Sequence, residues 1–251
     1  MDLDFLNRIE EAALNAWPSP RQILYDGWLM RFTGGSSKRV NSVNIRYPST
    51  LSIPEKISYC ENLYALQGLP TLFRAPDPFT SPDVLRVLAE AGYSAFDPTF
   101  VMGRPILRST LLPAGVEIRQ MNQDDWFALR SELTGHPAEY WDNNRRILDA
   151  IADENLLLGL FVDDIPAVSG MGVLERQFLG YFSIYTSDAY RRCGYAQTMM
   201  GALGNWGVSR GAVYGYLQVE GHNQPALALY EKLGFEHCYR YVYFGQGIIT
   251  D

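Results

Sequence analysis

Near the C-terminal end of the chain an ionisable carboxylate, a carboxamide and a phenol fall close together in sequence. Glu220, Asn223 and Tyr230 all fall within the stretch YGYLQVEGHNQPALALYEKLGF, Tyr214 to Phe235. Tyr214, Tyr216, Leu217 and Val219 read as a strand. Asn223 is then a good helix N-cap, Pro225 suits the first turn and Gly234 stands just past the helix end. On that short helix Asn223, Ala226 and Tyr230 recur at i, i+3 and i+7 and so share one face. Taken alone, Tyr230 reads as a packed aromatic with a satisfied hydroxyl ahead of a catalyst. Period-two alternation places Glu220 on the same strand face as Gln218, opposite Leu217 and Val219. By itself it reads as a solvated carboxylate at the strand end.

A second group lies just upstream, where a strand-like FSIYT, Phe182 to Thr186, leads into RRCGYAQTMMGAL, Arg191 to Leu203. A strand, a tight turn at Gly194 and an amphipathic helix aim the unpaired N–H groups of the helix start at one point, which is a cradle for an anion. Arg191 brings charge, Gly194 tolerates a positive φ and Ala196 keeps the helix mouth open. Met199, Met200, Leu203 and Trp206 follow at helical spacing, with Gly211 as the stop. Neither GxGxxG nor GxxxxGK[ST] is present, which argues against a dinucleotide fold and a P-loop. An ordinary turn with a surface arginine fits the short motif alone equally well.

Together the two stretches, IYTSDAYRRCGYA and LQVEGHNQPALALYEKLGF, closely resemble the GNAT superfamily of acyl-CoA-dependent N-acyltransferases. The shared pattern is Arg/Gln-x-x-Gly-x-Gly/Ala, then a strand, then Asn-x-x-Ala-x-x-Leu-Tyr-x-Lys-x-Gly-Phe, met here by Asn223, Ala226, Leu229, Tyr230, Lys232, Gly234 and Phe235. The resemblance covers the C-terminal half, from VEIRQMNQDDW at Val116. It implies an α+β fold, an αβα sandwich with a mixed, mainly antiparallel twisted sheet flanked by helices, and acetyl-CoA as co-substrate. By the same resemblance, Ile184, Tyr185 and Thr186 offer free backbone groups to the pantetheine arm, and Arg191, Arg192, Cys193, Gly194, Tyr195 and Ala196 hold the pyrophosphate. Asn223 helps fix the cofactor and the turn, Tyr230 protonates the departing thiolate, and a backbone N–H near Ile184 holds the oxyanion. Two positions depart from the family pattern: Cys193 replaces a frequent Gly, Arg or Lys, and Gln218 replaces a frequent Glu. The base is therefore Glu220 or a water chain.

The expected reaction is acetyl transfer to a primary amine, on a small-molecule acceptor ahead of a protein one. The alternatives are a non-catalytic acyl-CoA-binding module and a protein N-terminal or lysine acetyltransferase. Composition agrees with this: 251 residues, 47% hydrophobic and 13% aromatic, are enough for real cores. A net charge of −7 opposes nucleic-acid binding and mildly favours a cationic acceptor. Three cysteines without CxxC spacing and three scattered histidines support neither a disulfide frame nor a metal site. No apolar run reaches the ~20 residues of a membrane span, and the acidic, amphipathic start is unlike a secretory signal. The expected location is cytoplasmic, and the expected state a monomer or homodimer.

The N-terminal half reads as a helix, two strands (Trp28 to Phe32 and Val40 to Arg46) joined by Gly-Gly-Ser-Ser, a helix from Pro54 to about Gln67, the strand TLFR and a helix from Ser81 to Ala91. VLAEAGYSAF echoes YEKLGFEHCY of the C-terminal half. Aligning Gly92 with Gly234 puts Leu88 opposite Tyr230, and no Arg-x-x-Gly motif precedes the Pro54 helix. Residues 1–110 are therefore expected to form a degenerate, GNAT-like half or an accessory α+β domain and 111–251 the catalytic half, linked near Leu112 to Gly115, with the first part giving one wall of the acceptor cleft. Trp141 is expected in the core, with Asp142 capping the next helix.

Overall fold

A computed structural model describes residues 1–106 and 112–247; the expected boundary at 110 and 111 lies outside the described residues. In chain order the elements are α1 (Leu3–Asn15), β1 (Gln22–Tyr25), β2 (Trp28–Arg31), β3 (Val43–Ile45), α2 (Ile53–Leu66), β4 (Phe73–Pro76), α3 (Pro82–Glu90) and β5 (Ser94–Pro105). There follow β6 (Val116–Gln120), α4 (Gln123–Thr134), α5 (Asp142–Asp149), β7 (Glu154–Val162), β8 (Ile165–Glu175), β9 (Phe178–Thr186), α6 (Tyr195–Ser209), β10 (Tyr214–Glu220), α7 (Gln224–Lys232) and β11 (Glu236–Gly245). All strands join one 11-stranded sheet in the order β1-β2-β3-β4-β11-β5-β10-β9-β8-β7-β6.

That order contains a repeat. β2 and β3 are antiparallel and β3 and β4 parallel, as β8 and β9 are antiparallel and β9 and β10 parallel. α2 joins the first parallel pair and α6 the second, the crossover helix that parallel strands require. The echo between the halves is visible at the hydrogen-bond level: the N–H of Tyr93 donates to the Leu88 carbonyl at 3.0 Å and that of Phe235 to the Tyr230 carbonyl at 2.9 Å. Gly92 and Gly234 both sit at positive φ, 83° and 80°, as a helix stop of this kind requires. At the centre, each half's final strand lies beside the other half's parallel pair: β11 runs antiparallel to β4, β5 antiparallel to β10, and the two pair with each other.

Local signals set most element ends. Asp2, Ser81, Asn122 and Asn223 cap α1, α3, α4 and α7 through their side chains, each bond stabilising its helix by about 1 kcal/mol. Two expectations shift: the residues around Val40 form a short 3-10 turn, Lys38–Val40, before β3, and Asp142 is the first residue of α5, with no side-chain cap bond at that helix start. Trp141 is in the core as expected, 4% exposed.

α1 lies against β9 and buries Leu6, Ile9 and Ala13 together with one charge, Glu10. The Glu10 carboxylate accepts from both Arg74 Nη atoms, from the Tyr239 hydroxyl at 2.6 Å, and has Arg46 at 3.8 Å. The Arg74 guanidinium is 3.6 Å above the Tyr241 ring. Arg31 closes the other end of α1, donating to the carbonyls of Leu14 and Trp17 at 2.9 and 3.1 Å, so a cation meets the negative end of the helix dipole.

Candidate active site

β9 and β10 separate where the site begins. Their parallel pairing runs from Phe178 with Tyr214 to Tyr181 with Leu217 and stops there. On its other edge β9 carries a bulge: Phe182 opposes Met171 and Tyr185 opposes Ser169, leaving Ser183 and Ile184 across from Gly170. Ser183 adopts φ +53°, uncommon for a non-glycine residue. A Cβ on Gly170 would come within 2.8 Å of Met199 and 3.0 Å of Ile184, so a glycine is needed for α6 and the bulge to approach here.

Arg130, on α4, holds this bend. Its Nη1 donates at 3.0 Å to the Ser183 carbonyl and at 3.0 Å to Ser169 Oγ, and its guanidinium lies 4.5 Å from the Trp141 ring. Burial pushes the guanidinium down to about 10, still charged at neutral pH. Arg130→Met is expected to cost about 1.5–3 kcal/mol, the range for a charged buried hydrogen bond. A melting temperature equal to that of the native protein would show that the bulge holds without it. Sequence reasoning missed Arg130, because nothing local links it to a carbonyl on a distant strand.

The splayed strands open on a cavity of about 380 Å³ lined by Ile184, Glu220, Asn223 and Tyr230, four of the residues singled out from sequence. Burial pushes the Tyr230 phenol up to about 12, with no charged neighbour contributing. Asn223 accepts from the Ala226 N–H at 3.2 Å. Glu220 has a 53% exposed side chain and lies 3.3 Å from His222 Nε2. Gln218 accepts from the Tyr241 hydroxyl at 2.9 Å. The far wall comes from the N-terminal half, including Trp17, Lys38, Arg39 and Asp97.

Tyr185 and Thr186 continue β9 opposite Ser169 and Val168, with no partner in the β10 register. The loop residues lie outside the cavity lining, at the start of α6. Arg192 and Gly194 both take positive φ, 62° and 83°, Gly194 is the N-cap, and no side chain caps that helix. Nothing lies within 4 Å of where a Gly194 Cβ would stand. Arg191, Arg192 and Cys193 are exposed, Arg191 is 2.6 Å from Asp188, and Tyr195 meets Tyr190 edge-on at 5.9 Å. Ala196 is half-buried in the first turn. The splay, the uncapped helix start and the open Gly194 turn suit the pantetheine and pyrophosphate of a CoA thioester.

The corresponding turn of the N-terminal half is filled by the protein itself. Before α2, the N–H groups of Thr50 and Leu51 donate to the Asp26 carboxylate at 2.9 and 2.9 Å, Thr50 Oγ1 adds a bond at 2.8 Å, and Lys56 Nζ stands at 3.4 Å. These backbone bonds, with help from Lys56, hold the Asp26 carboxyl far below its usual range. Among the described residues no cluster of three His, Cys, Asp or Glu is placed to hold a metal, and no helix is long and apolar enough to cross a membrane.

Comparison with known proteins agrees with this geometry. Residues 6–244 match the family model described as probable histone acetyltransferase Rv0428c C-terminal. The chain is 26% identical over 252 residues to the uncharacterized N-acetyltransferase YobR of Bacillus subtilis strain 168, covering 95% of this chain and 99% of that one. Among solved structures, a GCN5-related N-acetyltransferase from Kribbella flavida superposes with a TM-score of 0.70 at 14% identity, covering 99% and 98% of the two chains. A tandem GNAT protein from the clavulanic acid biosynthesis pathway gives 0.67 at 12% identity, covering 84% and 76%.

Proposed function

The chain belongs to the acetyltransferase family described as probable histone acetyltransferase Rv0428c C-terminal and has the GNAT fold, and from that premise we propose that it moves an acetyl group from acetyl-CoA to a primary amine. The acceptor is a small molecule, attacking directly in a ternary complex. The observation that carries this reading is Tyr230, a half-buried phenol on the wall of a cavity that also contains the bulged backbone at Ile184. Acetyl-CoA, when bound, supplies the activated acyl carbon and a sulfur leaving group.

The protein's part is positioning, charge stabilisation and proton management. The N–H groups of residues 192–196 and the positive end of α6 hold the pyrophosphate. Ile184 to Thr186 pair with the pantetheine arm along the open side of β9. The Ile184 N–H donates to the thioester carbonyl oxygen as it gains negative charge. Tyr230 donates to the sulfur as the C–S bond breaks. With its pKa pushed up to about 12, against roughly 8.5 for an ordinary thiol, Tyr230 is protonated throughout the neutral range. It holds the developing thiolate by a hydrogen bond, and the proton finally resting on sulfur is balanced by the one leaving the amine. Glu220, directly or through water, takes that amine proton.

The test is a calorimetric titration with acetyl-CoA. The native protein is expected to bind at one site per chain, because Asp26 fills the other half's turn, and Gly194→Trp to lose binding while remaining folded by circular dichroism. No binding by the native protein would overturn the donor assignment. A second acceptor reading, a protein lysine, is favoured by the family's printed description; acetylation of peptides with no response to free amines would replace the small-molecule reading.

A further inference from the structure

The charges lining the cavity are not all paired with one another. Lys38 is paired, its Nζ 2.7 Å from Asp97 Oδ2. Arg39, beside it on the same wall, has no carboxylate partner among the described residues; its buried Nε lacks any hydrogen-bond partner, and its guanidinium lies 6.0 Å from the Trp17 ring centre. Gln218 adds a second unmet donor. Because its Oε1 accepts from the Tyr241 hydroxyl, its Nε2 points elsewhere, and that atom is buried without a partner. Two phenols that feel the Arg39 charge, Tyr216 and Tyr243, offer no counter-charge, since burial raises both well above the ordinary range and keeps them neutral. A cavity wall with an unpaired guanidinium and an unmet amide donor leaves an anion to be supplied by whatever fills the space.

Resting on the acetyltransferase reading above, we infer that the acceptor carries a carboxylate as well as the reacting amine, and that Arg39 and Gln218 bind that carboxylate. The planar guanidinium fork matches a carboxylate's two oxygens. Glu220, on the lining of the same cavity, suits the ammonium of the arriving zwitterion. The two charges of the acceptor thus meet opposite charges on two walls, one from each half of the chain. This also gives the non-catalytic half a specific task, choosing the acceptor.

The experiment measures CoA thiol released from acetyl-CoA with each standard amino acid and, beside it, its decarboxylated amine, for native protein, Arg39→Gln and Arg39→Lys. At least one amino acid is expected to exceed its decarboxylated counterpart in kcat/KM by about tenfold or more. Arg39→Gln is expected to raise KM for that amino acid by a similar factor, with kcat and the decarboxylated amine little changed, and Arg39→Lys to recover part of the loss. Equal or better use of the decarboxylated amines overturns the inference, as does an Arg39→Gln effect that falls equally on both. Acetyl-CoA binding without any amino acid accelerating thiol release overturns it while leaving the donor assignment intact. Failure to bind acetyl-CoA overturns both. If Arg39→Gln does not fold, the comparison of acid with amine on the native protein decides alone.

Discussion

Replacing Tyr230 with Phe is expected to lower kcat by about 10²-fold or more, the usual range for loss of a positioned proton donor, with acetyl-CoA affinity nearly unchanged. The ring remains to pack 6.0 Å from Phe235, and only the hydroxyl is lost. In the role proposed for it, its contribution arises when the sulfur takes on charge, so the loss belongs in kcat more than in binding. Burial alone sets the raised pKa of this phenol, so its ionisation at about 12 should contribute no alkaline limb to the rate in the neutral range. An unchanged kcat in Tyr230→Phe would remove Tyr230 from the chemistry.

The largest expected effect on stability is at Glu10. Burial by itself pushes this carboxyl up, and Arg74 and Arg46, with the Tyr239 hydroxyl, more than reverse the effect and leave it below the ordinary range. Glu10→Ala would strand the Arg74 guanidinium, only 1% exposed, without its anion. Removing one partner of such a pair costs about 3–5 kcal/mol, which for a chain of this size lowers Tm by roughly 10 °C. The sign with pH follows. Because the folded pKa is depressed, Glu10 contributes fully above its unfolded value near 4.3. That contribution is lost as pH falls through the lower, folded value. Denaturation followed against pH should show a weaker acid dependence in Glu10→Gln than in the native protein; matching acid limbs would show that Glu10 does not drive it.

The parts of the site legible in sequence were those built from neighbours in the chain. Asn223, Pro225 and Gly234 fix α7 by local capping and stop rules, so the face carrying Ala226 and Tyr230 follows from spacing. Gly194 similarly announces the start of α6. Residues whose role depends on distant strands were not legible. Arg130 reaches the Ser183 carbonyl across 53 positions of sequence, and Arg39 becomes a cavity residue only because β5 and β11 bring the N-terminal half against the splayed strands. The echo of VLAEAGYSAF and YEKLGFEHCY pointed to a repeat, but strand pairing is non-local, so the exchange of β5 and β11 left no mark in either segment. Asp26 was overlooked for a related reason: a carboxylate in a hairpin turn normally serves the turn, and its N–H partners, Thr50 and Leu51, are separated from it by β2 and β3.

The placement of β11 also bears on how the molecule is made. Residues 236–245 are synthesised after every other strand described, yet they occupy the middle of the sheet, between β4 and β5. Until they emerge, β4 and β5 each expose an unpaired edge, and the growing chain carries two incomplete sheets instead of one finished half and one pending. Folding therefore closes late, through contacts of long sequence separation, and the interval before closure is when the nascent protein is most exposed to wrong pairing.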